Sequence, residues 1–205
     1  MKTKLLIISG IFLPLFFALG QASEDSTSRK WHIGSTLFIL GNFIPDDPNP
    51  PDFGQLNVGY RLTQKDVISI EFKSWKYAWP LGIPYGKDYN APSEKYPGFV
   101  REFGIALAYQ RFIWKGLYAA IHGMNTLQRY VDNDGKKIQN GYQLFMTYRA
   151  GYHIPLFKKR FFLEPSIAIT QWHINTNVPA SFVALEQKWP THFLAEPGLH
   201  FGYRF

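Results

Sequence analysis

Phe103-Gly104-Ile105-Ala106-Leu107-Ala108-Tyr109-Gln110 decides the fold. Large apolar side chains stand at every odd position and small or polar ones at every even position. A repeat of two is the period of a β-strand, because successive side chains point to opposite faces of the sheet. The same alternation recurs along the chain. Leu56, Val58, Tyr60 and Leu62 alternate with Asn57, Gly59 and Arg61, and Ile68, Ile70 and Phe72 with Ser69, Glu71 and Lys73. Tyr142, Leu144, Met146, Tyr148 and Tyr152 alternate with Gln143, Thr147, Arg149 and His153. Leu163, Ile167 and Ile169 alternate with Glu164, Ser166, Ala168 and Thr170. Trp31, Ile33, Leu37 and Ile39 form a noisier set. Residues 117–130 have ambiguous parity, because Leu117-Tyr118-Ala119-Ala120-Ile121 is apolar on both faces.

Eight strands follow, at about 30–40, 54–62, 67–77, 100–111, 117–130, 141–154, 161–173 and 193–205. The connections alternate in length. Those at 41–53, 78–99, 131–140 and 174–192 are long and rich in Pro, Asn, Asp and Gly, whereas 63–66, 112–116 and 155–160 are short. Long loops at one end and tight turns at the other are the asymmetry of a bacterial outer-membrane barrel. The expected fold is all-β, an eight-stranded antiparallel up-and-down transmembrane β-barrel with its termini on the periplasmic side.

Period two alone allows a second arrangement, a soluble periplasmic lipocalin-like carrier with the apolar face turned inward. The membrane arrangement is favoured by rings near strand ends on the apolar face (Trp31, Tyr60, Tyr77, Tyr109, Tyr142, Tyr152 and Tyr203), placed like an interfacial belt. The opposite face is small and polar, which suits the narrow interior of eight strands.

The N-terminus has the three parts of a secretory signal peptide: Lys2 and Lys4, an apolar run from Leu5 to Leu19 interrupted by Pro14, and small residues at Ala18, Gly20 and Ala22. That run is shorter than the ~20 residues a membrane-spanning helix requires. The expected organisation is a signal peptide at 1–22, a flexible periplasmic tail at 23–29 and the barrel at 30–205.

The 205-residue chain carries 18% aromatic residues, no cysteine and a net charge of +7. Without Cys there is no disulfide framework, thiolate metal site, cysteine nucleophile or lipid-accepting cysteine after the leader. The densest basic cluster, Lys158-Lys159-Arg160, falls in a short turn, so no nucleic-acid partner is expected. Asp132-Asn133-Asp134-Gly135 opens like a calcium loop, but the distant Glu of an EF-hand is missing and the segment reads as a hairpin turn. No metal or cofactor is expected.

Charge on the polar face falls at Glu71, Lys73, Arg149, Glu164, Glu196 and Arg204, with His32, His153 and His200. Arg149, Glu164 and Arg204 belong to neighbouring strands. These residues, chiefly Glu71, Lys73, Arg149, Glu164 and Arg204, are expected to form a structural charge network filling the lumen; a polar pore lining is the alternative. A lipid-modifying enzyme would need a nucleophile beside a base. There is no His-x-Ser pair, and His173, His192, Asp46, Asp47 and Ser181 are only scattered near the loop side. The aromatic-rich loops at 78–99 and 174–192 are candidate contact surfaces, or a lid packed over the barrel mouth.

The C-terminal strand ends Leu199-His200-Phe201-Gly202-Tyr203-Arg204-Phe205. Leu199, Phe201, Tyr203 and Phe205 resemble the C-terminal β-signal of outer-membrane proteins. The chain as a whole resembles small outer-membrane barrels with the layout of the OmpX and OmpW groups. Phe161-Phe162-Leu163-Glu164-Pro165 and Phe193-Leu194-Ala195-Glu196-Pro197 resemble strands of Bacteroidetes-type barrels. The resemblance implies a cell outer-membrane location, contact with outer-membrane lipid, and recognition by the barrel-assembly machinery. It implies a structural or surface-contact role through the loops, with the extracellular ligand unspecified.

Overall fold

A computed structural model describes residues 29–44, 50–77, 96–188 and 190–205. The segments expected as a signal peptide (1–22) and, but for Arg29, as a flexible tail (23–29) lie outside them, as do Asp46, Asp47 and most of the 78–99 loop. Nine strands run in chain order: β1 (Trp31–Thr36), β2 (Gly54–Arg61), β3 (Asp66–Tyr77), β4 (Gly98–Trp114), β5 (Leu117–Asp132), β6 (Lys137–Tyr152), β7 (Ile154–Leu156), β8 (Phe161–Thr176) and β9 (His192–Arg204). All pairings are antiparallel. Strand β7 continues β6 past His153 and stays on the same partner, β8. The first strand pairs with the last, His32 opposite Arg204 through Thr36 opposite His200. The sheet therefore closes into an up-and-down barrel of eight strand positions.

Burial fixes the orientation of the wall. Ile68, Ile70, Phe103, Ile105, Leu107, Leu127, Ile167 and Ile169 face outward and are exposed, Leu107 by 71%. Glu71, Glu102, Thr126, Gln128, Gln143, Thr147 and Thr170 are buried inside. The lipocalin-like arrangement, which needs Ile68, Ile70, Leu107, Ile167 and Phe201 inside, is overturned by the first four, all of which are exposed. The ambiguous segment resolves with its even residues inward: Tyr118, Met124, Thr126, Gln128 and Tyr130 are buried. Tyr77 corrects the expected belt, because strand β3 carries its odd residues inward. The Tyr77 ring lies in the lumen, where its hydroxyl finds a carboxylate.

The turn end is built by local chemistry. Lys115 (φ 41°) and Gly116 (φ 93°) both sit at positive φ, the two-residue geometry that matches strand twist. Thr63 Oγ1 accepts from the backbone N–H groups of Lys65 and Asp66 in the β2–β3 turn. At the other end, Asp132 Oδ1 accepts from the N–H groups of Asp134 and Lys136, and Gly135 takes φ 80°. This makes a tight turn at 133–136, so the loop expected at 131–140 is short. The loop after β8 holds a helix, α1 (Ala180–Lys188).

The first strand ends at Thr36, earlier than the expected residue 40, and a 3-10 helix spans Leu37–Phe43. Beyond this point β1 no longer bridges β9 and β2, and side chains stand in for its ladders. Thr36 Oγ1 donates to the Leu199 carbonyl and Ser35 Oγ to that of Gln55. The Asn42 amide both donates to the Phe53 carbonyl and accepts from its N–H, each at 2.7 Å. Backbone groups beside an interrupted ladder need such partners, because an unpaired buried group is costly.

Glycines make room for large inward side chains. A Cβ on Gly59 would fall inside the His32 ring, and one on Gly198 would collide with the Arg149 guanidinium. Gly59→Ala is therefore expected to destabilise the barrel by about 1–3 kcal/mol through overpacking, read as a lowered urea midpoint. An unchanged midpoint would show that His32 swings aside freely.

Candidate functional site in the barrel lumen

Polar side chains fill the interior in three tiers. Nearest the loops, Lys73 Nζ lies 3.0 Å from Glu102 Oε1, and both side chains are almost fully buried. The Tyr77 hydroxyl donates to Glu102 Oε2 (2.9 Å), Gln128 Nε2 donates to the Tyr77 oxygen (2.9 Å), and the Tyr130 hydroxyl donates to Gln128 Oε1 (3.2 Å). The Lys73 ammonium also lies 4.6 Å from the Phe145 ring centre and 4.9 Å from that of Trp75. Both distances fall within cation–π range.

In the middle tier, Glu71 Oε2 meets His122 Nδ1 at 2.9 Å. Arg149 donates to Ser166 Oγ (2.9 Å), and Thr147 and Thr170 share a hydrogen bond that runs on to Glu196. Nearest the turns, Glu164 Oε1 meets His153 Nδ1 at 2.7 Å and accepts from Gln110 Nε2 at 3.1 Å. Arg204 Nη2 lies 2.9 Å from His153 Nε2.

The structure therefore places Glu71, Lys73, Arg149, Glu164 and Arg204 in the lumen, in partnerships that the sequence did not give. Lys73 pairs with Glu102 and Glu71 with His122. Arg149 meets a serine, and Arg204 reaches Glu164 through His153. Glu102 and His122 were missed. Glu102 shares the parity of Gly104 and Ala106, so the alternation carried its signal; His122 lies in the segment of ambiguous parity.

Three cavities follow one another along the axis. The one nearest the loops is about 130 Å³, lined by Lys73, Trp75, Glu102, His122 and Arg149 among others. The next is about 60 Å³ and shares Glu71, His122, Thr147, Arg149 and His200 with the first. The last, about 10 Å³, is walled by His32, Arg61, Phe112, Phe162, Glu164 and Arg204. The lumen thus narrows toward the turn end. On the wall of the first cavity, His122 Nε2 and Trp75 Nε1 are buried with no hydrogen-bond partner among the described residues. With Nδ1–H donated to Glu71, His122 Nε2 offers a lone pair and Trp75 Nε1 a proton, so a small polar occupant would find one of each. Among the described residues, no group of three or more His, Asp or Glu is placed to hold a metal.

Helix α1 packs onto the loop end. Phe182 is buried against Tyr77, Val100 and Tyr130, with Val178, Leu185 and Trp75 packed around them. Part of the aromatic loop at 174–192 thus packs as a lid. Burial pushes the Glu186 carboxyl above the usual carboxylate range, and a hydrogen bond from Asn175 (2.9 Å) opposes that shift. A carboxyl raised by docking favours the docked helix while protonated and opposes it once ionised. Amide exchange across 180–188, corrected for its intrinsic pH dependence, is expected to accelerate as pH rises from about 4 to about 7, across the range in which a raised carboxyl ionises. Glu186→Gln should flatten that rise; an equally steep variant would refute the link. His173 and His192 are exposed, and neither bonds to a Ser or Asp among the described residues.

No protein-family model matches the chain, and no curated protein matches it. Among solved structures it is similar to the crystal structure of a major outer membrane protein from Thermus thermophilus, at 11% identity and a TM-score of 0.48, covering 87% of this chain and 100% of that one.

Proposed function

We propose that this protein is an outer-membrane β-barrel, exported by a cleaved signal peptide. In this reading its lumen is sealed by its own side chains, and it serves envelope structure or surface contact through its loop end without catalysing a reaction. One observation carries the reading: the wall is apolar outside and charged inside. Exposed Ile, Leu and Phe cover the outer face of β3, β4, β5 and β8, while Glu71, Lys73, Glu102, Glu164 and Arg204 project into the lumen. Water would penalise that outer face, whereas a bilayer stabilises it. A closed barrel meets the further condition that backbone groups in hydrocarbon be paired within the protein. Strands of 12 to 17 residues in β3–β6 and β8 are long enough to cross when tilted.

The tiers of paired charge support a plugged lumen over a conducting one, because the cavities shrink toward the turn end. Leu199, Phe201, Tyr203 and Phe205 alternate along the strand that closes the ring, as a segment read by the assembly machinery would. The test is gel migration in SDS of membrane-extracted protein, unboiled against boiled. A mobility shift on heating, with recovery in the outer-membrane fraction, is the expected result. An absent shift with recovery in the soluble periplasm would overturn the membrane reading.

A further inference from the structure

The two ends of the barrel differ in charge. At the turn end Lys30, Lys65, Lys115, Lys158 and Arg160 are all exposed, and none has a carboxylate within ion-pair distance among the described residues. The one acidic side chain on that rim among the described residues, Asp66, is engaged by Tyr109, Arg111 and Thr63. The loop end also carries exposed cations, Arg129, Lys136 and Lys137, but more acid stands among them: Asp52 pairs with Arg101 at 2.9 Å and with Lys76 at 3.5 Å, and Asp132 and Asp134 share the β5–β6 turn with Lys136 and Lys137.

These cations stand beside aromatic rings, and Arg160 also donates to the Tyr203 hydroxyl at 3.3 Å. Trp114, Phe157, Phe161, Phe205 and Trp31 are exposed around the same rim. Lys115 Nζ lies 5.1 Å from the Trp114 ring centre and Lys30 Nζ 6.0 Å from that of Tyr60. Phe157, Lys158 and Lys159 take φ of 45°, 57° and 62° in succession, a left-handed run that non-glycine residues rarely adopt. In this turn Phe157 and Lys158 both point to the surface. Apolar rings at the hydrocarbon boundary with cations just beyond them match the layered chemistry of a phospholipid leaflet, acyl chain first and phosphate second.

We propose that the turn end of the barrel binds the phosphate headgroups of anionic phospholipid, held by Lys65, Lys115, Lys158 and Arg160 with the surrounding rings against the acyl chains. The proposal rests on the outer-membrane reading, which puts the turn end at the periplasmic leaflet.

The test uses the full barrel in uncharged maltoside detergent and native mass spectrometry with dioleoyl phosphatidylglycerol or dioleoyl phosphatidylethanolamine. Phosphatidylglycerol adducts should be retained preferentially. A cation at an anionic surface contributes about a fivefold gain in binding, so Lys115→Gln/Lys158→Gln/Arg160→Gln should weaken the adduct on the order of a hundredfold. The loop-end control Arg129→Gln/Lys136→Gln/Lys137→Gln should leave it unchanged. Equal retention of the two lipids, or equal loss in the control, would overturn the proposal. So would displacement of the lipid by inorganic phosphate at equal concentration, which would mark an ion site, or preferential capture of an anionic glycan fragment. If the triple variant loses its heat-dependent gel shift, Lys158→Gln alone is used, with about a fivefold loss expected and no loss overturning the proposal. A wild-type barrel without that shift would instead count against the outer-membrane reading itself.

Discussion

Replacing Glu102 with alanine is expected to destabilise the folded barrel by about 3–5 kcal/mol, the usual cost of removing one partner from a buried ion pair. The substitution leaves the Lys73 ammonium in a nearly closed interior with only the Trp75 and Phe145 rings for company. It also removes the acceptor at the end of the Tyr130–Gln128–Tyr77 chain, so that the Tyr77 hydroxyl is left without the carboxylate to which it donates. The measurement is a urea titration of protein folded into lipid vesicles, followed by tryptophan emission. A companion variant separates a broken pair from a damaged fold: Lys73→Met/Glu102→Leu removes both charges at similar volume and should recover most of the loss. A single-variant cost below about 1 kcal/mol would mean that water reaches Lys73 and that this tier of the lumen is wet.

Leu107→Arg is expected to cost about 2–4 kcal/mol in the same titration, the penalty of a cation on the lipid face near the bilayer midplane. Leu107 lies close to the centre of the 17-residue β4 and is 71% exposed. On a barrel in water, a surface Leu→Arg change at such a site would be close to neutral. The sign and size of this one effect therefore report which solvent the wall faces. A neutral result would overturn the membrane reading even if the barrel stayed closed.

The alternation at 103–110 is enough to place β4 and its inner and outer faces, because a period of two leaves no freedom once one face is known. The same reasoning fails at 117–121. There the small residues Ala119 and Ala120 sit beside Leu117, Tyr118 and Ile121, and hydrophobicity no longer distinguishes lipid from lumen. Tyr118 shows why. Its ring is apolar enough for either face, and it goes inside because Gly151 on the neighbouring strand leaves room for it. Tyr77 departs from expectation because an interfacial tyrosine and a luminal one have the same composition, and only the register of β3 distinguishes them. The candidate charges can be named from parity, but their partners cannot. Pairing runs between strands, diagonally from β3 to its neighbour β4 for Lys73–Glu102 and from β3 past β4 to β5 for Glu71–His122, and those distances depend on strand stagger. The early end of β1 has a local cause, since Thr36 caps the 3-10 helix by accepting from the Phe38 N–H.

The seam between β1 and β9 joins the two ends of the chain through five paired positions, whereas the ladder between β4 and β5 has sixteen. Thr36 and Leu199, in contact across that seam, are 163 residues apart in sequence. Closing so long a loop costs conformational entropy before the short ladder returns any of it. Hairpin pairing from β2 through β9 needs only neighbours and can proceed first. Ring closure is therefore expected to come late in folding. Until then the curled sheet keeps two open edges, with the rows bearing Ile33 and Phe201 side by side but unjoined.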